Sequence, residues 1–345
     1  MADERPLPRM IGESASFLEM QEHISRVAPL NKPVLIVGER GTGKELVAAR
    51  LHYLSRRWEQ MFLKLNCAAV TESLLEAQLF GHEAGAFTGA TKMRKGYFER
   101  ADSGTLFLDE LANTAMAVQE KILRVIEYGE FERLGGSEIL TVDVRIIAAT
   151  NEDLPGLARQ HRFRDDLLDR LAFDVITLPP LRERREDILV LAEHFAVGMV
   201  KEMGGELFSG FSAKMEKALL NYDWPGNVRE LKNVVERAVY LYGDQPIANL
   251  VFNPFESPYR PAARPAPTAG KDGSEAETDG ATLAGIPDGE SYDFKDRVQN
   301  FEIALLKQAL AQNQFNQKKA AEYLNLSYHQ LRGYLRKYEL IGGDE

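Results

Sequence analysis

The sequence predicts an α/β domain with a parallel sheet flanked by helices, an all-helical subdomain behind it, and a separate helix-turn-helix unit. Three observations predict it. Apolar runs near 33–37, 62–66, 104–108 and 142–150 alternate with stretches of helical spacing, the pattern of strands buried on both faces by crossover helices. Beyond Pro179-Pro180 the strand-like runs give way to helical stripes alone. Between 316 and 338 two short helical segments flank a tight turn.

The chain has 345 residues, room for two or three domains, and 44% of them are apolar, enough for a sizeable core. Its 42 Lys and Arg against 52 Asp and Glu give a net charge of -10, so any nucleic-acid contact must come from a local basic patch. Cys67 is the only cysteine, which excludes an intrachain disulfide and fits a reducing, cytoplasmic compartment. The N-terminus is charged and lacks an apolar signal core, and no run approaches the roughly 20 apolar residues of a membrane span. The six histidines show no metal-ligand spacing with that cysteine.

Residues 1–10 read as a short lead, too few for a sensing domain. Ser16-Phe17-Leu18-Glu19 matches a capping box and predicts a helix to about Val27. The run at 33–37 ends in glycine and reads as a fully buried strand. Gly38-Glu39-Arg40-Gly41-Thr42-Gly43-Lys44-Glu45 follows, then a helical pattern at Leu46, Val47 and Leu51. A strand, a glycine-rich turn and a helix in that order bring backbone N–H groups onto phosphate oxygens, and Lys44 adds a charge for the β- and γ-phosphates. The competing reading is a plain glycine turn with a surface lysine. Glu45 stands where this motif usually has the Ser/Thr hydroxyl that ligates Mg2+, so the metal must rely on other oxygens.

Trp58 sits in a polar stretch, 56–60, either as a contact residue or packed on the preceding helix. Residues 62–66 read as the second strand, and Thr71 caps a helix through Leu79. The stretch FGHEAGAFTGA at 80–90 is an excursion punctuated by Gly81, Gly85 and Gly89, with Phe87 and Thr88 at its tip. Phe87 is either a contact device or a plug that folds back. The strand at 104–110 ends in Asp109-Glu110, at the edge where open α/β sheets bind phosphates. There Asp109 can hold Mg2+, directly or through water, and Glu110 can orient or deprotonate an attacking water.

A helix is expected over about 114–128, a hairpin around 131–136, and a buried strand over 142–150. That strand ends at Asn151, which either senses a γ-phosphate or caps the strand. Arg164 and Arg170 belong to an amphipathic turn and, taken alone, read as surface salt-bridge partners. A last strand covers 173–178. Helices follow over 188–200, 212–221 and from 224–231 to Gly243, and Arg229 at the start of the third can reach back to a nucleotide. Residues 254–291 are rich in Pro, Ala, Gly, Ser and acids and read as a linker. Phe294, Val298, Phe301 and Leu305 form a stripe suited to pairing helices. In the helix-turn-helix, Ala320 and Ala321 mark the crossing and Asn325 tolerates a left-handed turn. Between 316 and 338, Lys318, Lys319, Arg332, Arg336 and Lys337 face a single acid, Glu322, a local charge of +4.

These motifs together resemble the AAA+ activators of sigma-54 RNA polymerase, the bacterial enhancer-binding proteins. The segments that carry the resemblance are GERGTGKE at 38–45, GAFTGA at 85–90, GTLFLDE at 104–110, FRDDLLDRL at 163–171 and WPGNVREL at 224–231. It covers about 9–250 for the ATPase and 292–341 for a Fis-like DNA-binding domain. Glu45 is characteristic of that family. The resemblance implies an AAA+ P-loop ATPase: a lead at 1–10, an α/β subdomain at 11–178, a helical lid at 179–253, a linker at 254–291 and a DNA-binding domain at 292–345. It implies ATP and Mg2+ as cofactors, held by Gly38, Glu39, Arg40, Gly41, Thr42, Gly43, Lys44 and Glu45 with Asp109 at the metal.

By the same resemblance Asn66 hydrogen-bonds the catalytic Glu110, Asn151 is the first sensor and Arg229 the second. Arg164 and Arg170 become fingers that reach a neighbour's ATP in a ring, expected to be a hexamer. Gly85, Ala86, Phe87, Thr88, Gly89 and Ala90 would touch sigma-54. Enhancer DNA would meet Lys318, Lys319, Tyr328, His329, Gln330, Arg332, Arg336 and Lys337. Within the family the likeness is to activators of phage-shock (membrane-stress) operons, which implies an inhibitory partner, phage shock protein A, docking at Trp58. Two rival readings are another AAA+ machine, which has no need of GAFTGA followed by a Fis-like domain, and a regulator with a degenerate ATPase, which lacks an intact GAFTGA.

Overall fold

The computed structural model describes residues 9–243, 247, 249–255, 294–313, 316–324 and 326–338. One compact unit lies within residues 1–260 and another within 261–345. The larger unit begins with α1 (Ala15–Val27), β1 (Val34–Val37), α2 (Lys44–Tyr53), β2 (Phe62–Asn66) and α3 (Glu72–Phe80). A short ribbon, β3 (Gly81–His82) and β4 (Arg94–Lys95), precedes α4 (Tyr97–Arg100), β5 (Thr105–Asp109) and α5 (Met116–Tyr128). After the hairpin β6 (Glu130–Glu132) and β7 (Ile139–Thr141) come β8 (Arg145–Thr150), α6 (Leu154–Arg159), α7 (Asp165–Leu171) and β9 (Val175–Thr177).

The main sheet is parallel, in the order β2-β5-β8-β1-β9. Its residues alternate between two cores, as a period of two requires. Leu35, Leu106, Leu108, Ile146 and Ala148 pack with α3, α5 and α7, while Val34, Ile36, Phe107, Ile147 and Ala149 pack with α1 and α2. Burial on both faces is why these strands read as unbroken apolar runs.

Two boundaries differ from the sequence reading, and one expected cap stands in place without its side-chain bond. Helix α1 starts at Ala15, not at a box on Ser16, because its N-cap, Ser14, is held elsewhere: Ser14 N–H and Oγ, with the Glu13 N–H, donate to the buried carboxylate of Asp187. Thr71 occupies the N-cap of α3 without a side-chain capping bond. The expected hairpin around 131–136 is present as β6–β7, spanning 130–141, and the strand expected over 142–150 is shortened to β8, which begins at Arg145. Arg145 is buried, its guanidinium donating to the carbonyls of Val27 and Ala28 at the end of α1 and of Lys32 in the turn before β1, and burial brings its pKa down to about 10.

Behind the sheet stand α8 (Glu186–Glu202), α9 (Ala213–Asn221) and α10 (Asn227–Tyr242) around their own core. Trp224 does not begin α10. It is fully buried in that core at φ 50°, donating Nε1–H to the Leu219 carbonyl, and α10 starts three residues later.

The smaller unit contains α11 (Phe294–Gln312), α12 (Gln317–Tyr323) and α13 (Tyr328–Lys337). Ala320 and Ala321 are buried against Leu306, Ala309, Leu310, Leu331 and Leu335, as expected of a helix crossing. Ser327 and Gln330 form a reciprocal capping box at the start of α13. Leu305 is exposed, while the side chains of Phe294, Val298, Phe301 and Glu322 lie outside the described residues, as do Asn325 and nearly all of the 254–291 segment.

Candidate functional site

The parallel sheet puts four sequence signals on one edge. The phosphate loop follows β1, Asn66 ends β2, Asp109 ends β5 and Asn151 follows β8. Register keeps them level: Asn66 pairs with Asp109, and Val37 pairs with Thr150. This is the carboxyl edge, where open α/β sheets bind phosphates.

In the loop, Gly41 and Gly43 take φ of 79° and 104°, which glycine adopts without strain. Lys44 is the first residue of α2, and its ammonium donates to the carbonyls of Gly38 (2.8 Å) and Glu39 (3.1 Å). Burial lowers its pKa, while the carboxylates of Asp109 and then Glu110 pull it back up. Thr42 Oγ1 donates to the Glu39 carbonyl. The Glu45 carboxylate points to the neighbouring strand, where it accepts from Lys64 Nζ at 2.8 Å.

Asp109 is shifted up by burial, against the opposing pull of Lys44, and its Oδ1 accepts the Glu110 N–H. Glu110 sits in the left-handed region at φ 54°, an uncommon place for a residue with a side chain and one found at functional sites. Burial, reinforced by Asp109 and Glu110, pushes the Cys67 thiol up to about 12, so it is no nucleophile.

The set fits a nucleotide with a divalent ion. Among the described residues no group of three or more His, Cys, Asp or Glu could cage a metal. Mg2+ does not need one: it commonly takes one or two carboxylates plus substrate phosphates, and Asp109 lies beside a phosphate loop.

Asn66 stands at the right edge but does not bond Glu110. Its Oδ1 accepts the Ala68 N–H at 2.9 Å, closing the turn after β2. Asn151 is half-buried at the end of β8, and the turn there is closed by Thr150 Oγ1, which accepts the Glu152 N–H. The backbone N–H of Arg229 donates to the Gly41 carbonyl, so the first turn of α10 abuts the phosphate loop.

The two arginines of 163–171 are engaged within the chain, as the salt-bridge reading expects. Arg164 pairs with Asp166 (2.7 Å) and Glu120 (3.5 Å), and Arg170 with Glu127 (2.8 Å). Arg170 also lines a cavity of about 560 Å³ with Lys32, Arg145 and Phe173, at the opposite end of β1 and β8 from the phosphate loop. Strands of four and six residues span about 13 and 20 Å, which sets Arg170 far from its own chain's loop.

The 85–90 loop stands on the β3–β4 ribbon. Gly85 N–H donates to the Ala90 carbonyl and Ala90 N–H to that of Phe87, with Gly85 and Gly89 at φ 84° and 102°. Phe87 is 44% exposed and rests edge-on against His82, ring centres 5.0 Å apart, so it is neither free nor a buried plug. Beneath the loop, Glu83 N–H donates to the Leu134 carbonyl, and Arg133 bridges Glu83 and Glu99. Trp58 is 56% exposed. Its segment is fixed by Arg57, which pairs with Asp143 and donates to the Gly104 carbonyl.

In the helix-turn-helix, Lys318, Lys319, His329, Gln330, Arg332, Arg336 and Lys337 are exposed and Tyr328 is half-buried. Gln330 is committed to the cap on Ser327, and Lys337 to the Tyr338 hydroxyl.

Residues 10–177 match the model of the sigma-54 interaction domain, 182–255 that of the AAA+ ATPase lid domain, and 297–338 that of bacterial regulatory proteins of the Fis family. The chain is 54% identical over 333 residues to the Psp operon transcriptional activator of Escherichia coli K12, covering 96% of this chain and 98% of that relative. It is 40% identical over 336 residues to the regulatory protein AtoC of the same organism, covering 97% and 68%. The crystal structure of NtrX from Brucella abortus in complex with ATP superposes with a TM-score of 0.66 at 30% identity, over 96% of this chain and 69% of that one.

Proposed function

Because the chain belongs to the sigma-54-dependent transcriptional activators, AAA+ ATPases carrying a Fis-type helix-turn-helix, we propose that it couples ATP hydrolysis to remodelling of the sigma-54 polymerase closed complex. The proposed target is a phage-shock operon, and the setting is the cytoplasm; no described helix is long and apolar enough to cross a membrane. The observation that carries the reading is the intact 85–90 loop, raised on a ribbon from the domain that aligns Lys44, Asp109 and Glu110 on one sheet edge.

On this reading the phosphate loop from Gly38 to Glu45 is the nucleotide cradle, in which Lys44 leaves its loop carbonyls for the phosphates. Asp109 holds Mg2+, which supplies charge neutralisation at the phosphates. Glu110 orients the attacking water and takes its proton. Asn66 reaches Glu110 by giving up its bond to the Ala68 N–H, which costs about 1 kcal/mol. Asn151 and Arg229 report the nucleotide state from β8 and from the lid.

Arg164 and Arg170 act on a neighbour's ATP in a hexameric ring. Their present ion pairs are solvated ones, worth about 0–1 kcal/mol each, so a polyphosphate displaces them readily. Phe87 and Thr88 contact sigma-54, and residues 292–345 direct the protein to enhancer DNA. Trp58 is the proposed docking point for phage shock protein A, and Trp58→Ala is expected to keep basal ATPase activity while escaping that inhibitor.

The test is open-complex formation in vitro with sigma-54 polymerase, ATP and a phage-shock promoter. Opening that depends on ATP hydrolysis supports the proposal. Hydrolysis with no opening at any protein concentration contradicts it.

A further inference from the structure

The outer side of the phosphate loop is held by the lid. Three consecutive loop carbonyls accept from it: Arg40 from Asn227 Nδ2 at 3.1 Å, Gly41 from the Arg229 N–H at 3.3 Å, and Thr42 from Arg184 Nη2 at 3.3 Å. The loop's one acidic side chain before Lys44, Glu39, is held from the same side. Its carboxylate takes a two-point bond from Arg182, at 2.6 and 2.9 Å, and a third bond from Asn227 Nδ2 at 3.0 Å. Hydrogen bonding to Arg182, then to Asn227, brings Glu39 down to about 2, so it stays ionised.

Asn227 is built for this place. It is fully buried at φ 54°, and its Oδ1 accepts the Leu181 N–H at 2.8 Å, so one amide joins the loop, the entry to the lid and the first turn of α10. The approach is close: a Cβ on Gly41 would lie 2.3 Å from the Gly226 carbonyl oxygen.

An ionised carboxylate on a loop that receives a triphosphate is a liability unless its charge is neutralised. We propose that Glu39, Arg182 and Asn227 form a latch that joins phosphate loop to lid, with Arg182 a positioning residue that shields the nucleotide from Glu39. The latch rests on the reading of this loop as the ATP site. It makes two predictions that a purely structural bridge does not. Losing Arg182 harms nucleotide binding by exposing a negative charge, and removing that charge repairs the harm.

The experiment compares wild type, Arg182→Ala, Glu39→Gln and the double variant in the full chain, using binding of the fluorescent analogue mant-ATP and ATPase turnover. The Arg182 and Glu39 side chains are 39% and 42% exposed, so solvent screens the pair. Arg182→Ala is therefore expected to weaken binding only about three- to fivefold, with KM raised more than kcat is lowered. The double variant is expected to regain most of the affinity that Arg182→Ala loses, because the neutral amide introduced by Glu39→Gln has no charge to repel the phosphates. Wild-type affinity in Arg182→Ala, or a double variant as weak as Arg182→Ala, overturns the latch alone. Failure of the wild-type protein to bind the analogue overturns the ATP site and the latch with it.

Discussion

Replacing Arg133 by alanine removes the clamp beneath the 85–90 loop. The guanidinium holds Glu99 by bonds of 2.9 and 2.7 Å and Glu83 by one of 2.7 Å. The Arg133 and Glu99 side chains are 12% and 10% exposed, whereas Glu83 keeps 36%. The substitution thus strands one nearly buried carboxylate and releases one that water can solvate. Breaking a buried pair from one side costs about 3–5 kcal/mol, and the residual solvent at Glu99 brings the expected loss to about 2–3 kcal/mol.

The loss carries a pH signature. In wild type, Arg133 holds Glu99 below the usual carboxylate range, chiefly by hydrogen bonding. That contribution is complete above the unfolded carboxylate pKa and fades as pH falls through the lowered one. In the variant, burial acts on Glu99 against only the weaker pulls of Lys95 and the Gly96 N–H. Its pKa rises, and the penalty shrinks on acidification. Urea unfolding at about pH 7.5 and about pH 5 reads both effects. A loss of about 2–3 kcal/mol is expected near neutrality, less near pH 5, with recovery near neutrality on adding Glu99→Gln. A loss equal at both pH values and untouched by Glu99→Gln would refute the electrostatic reasoning.

Arg164→Ala and Arg170→Ala are expected to cut ATP turnover by about 10³–10⁵ while leaving mant-ATP binding intact; mixing Arg170→Ala with Lys44→Ala subunits should restore some turnover, and wild-type rates in both single variants would place the fingers elsewhere. His52 is buried, bonded to Thr105 and stacked on Phe62, and burial brings its pKa down to about 4. A depressed histidine costs stability as pH falls below the unfolded value, so urea unfolding should show about 2 kcal/mol lost between about pH 7.5 and about pH 5, a slope missing from His52→Asn. Enhancer binding by the full chain should weaken steeply with salt, and Lys318→Ala should reduce that salt dependence by about one counterion; an unchanged slope would remove Lys318 from the interface.

The elements that chemistry punctuates are legible in the sequence. Glycines at 38, 41 and 43 after an apolar run mark a turn that few other residues can make, and the strand ending at Asp109-Glu110 is apolar because both its faces are covered. The helix-turn-helix shows itself through the small pair Ala320-Ala321 and through a basic patch against an acidic whole.

What the sequence hides is set by contacts distant along the chain. Glu39 meets Arg182 and Asn227 across 143 and 188 positions, and Ser14 meets Asp187 across 173, so no local spacing announces them. The capping box at Ser16 is misplaced for that reason: the tertiary bonds to Asp187 fix Ser14 as the N-cap, and the helix starts at Ala15. Trp224 shows the opposite error, a residue that reads as a helix opener and is the largest fully buried side chain of its subdomain. Asn66 does stand at the sheet edge, but its side chain is taken by its own turn, as asparagine at a strand end commonly is.

On the proposed function, the 85–90 loop is the working end of an ATP-driven remodeller. Thr88 is exposed at that loop, outside the phosphate site, so its replacement separates remodelling from hydrolysis. In one preparation of Thr88→Ala, ATP turnover and sigma-54 open-complex formation should be measured side by side. Turnover within about twofold of wild type is expected, since no bond of the phosphate site is touched, with open complexes reduced at least about tenfold. Full open-complex formation by Thr88→Ala, or loss of nucleotide binding in its place, would contradict this role of the loop.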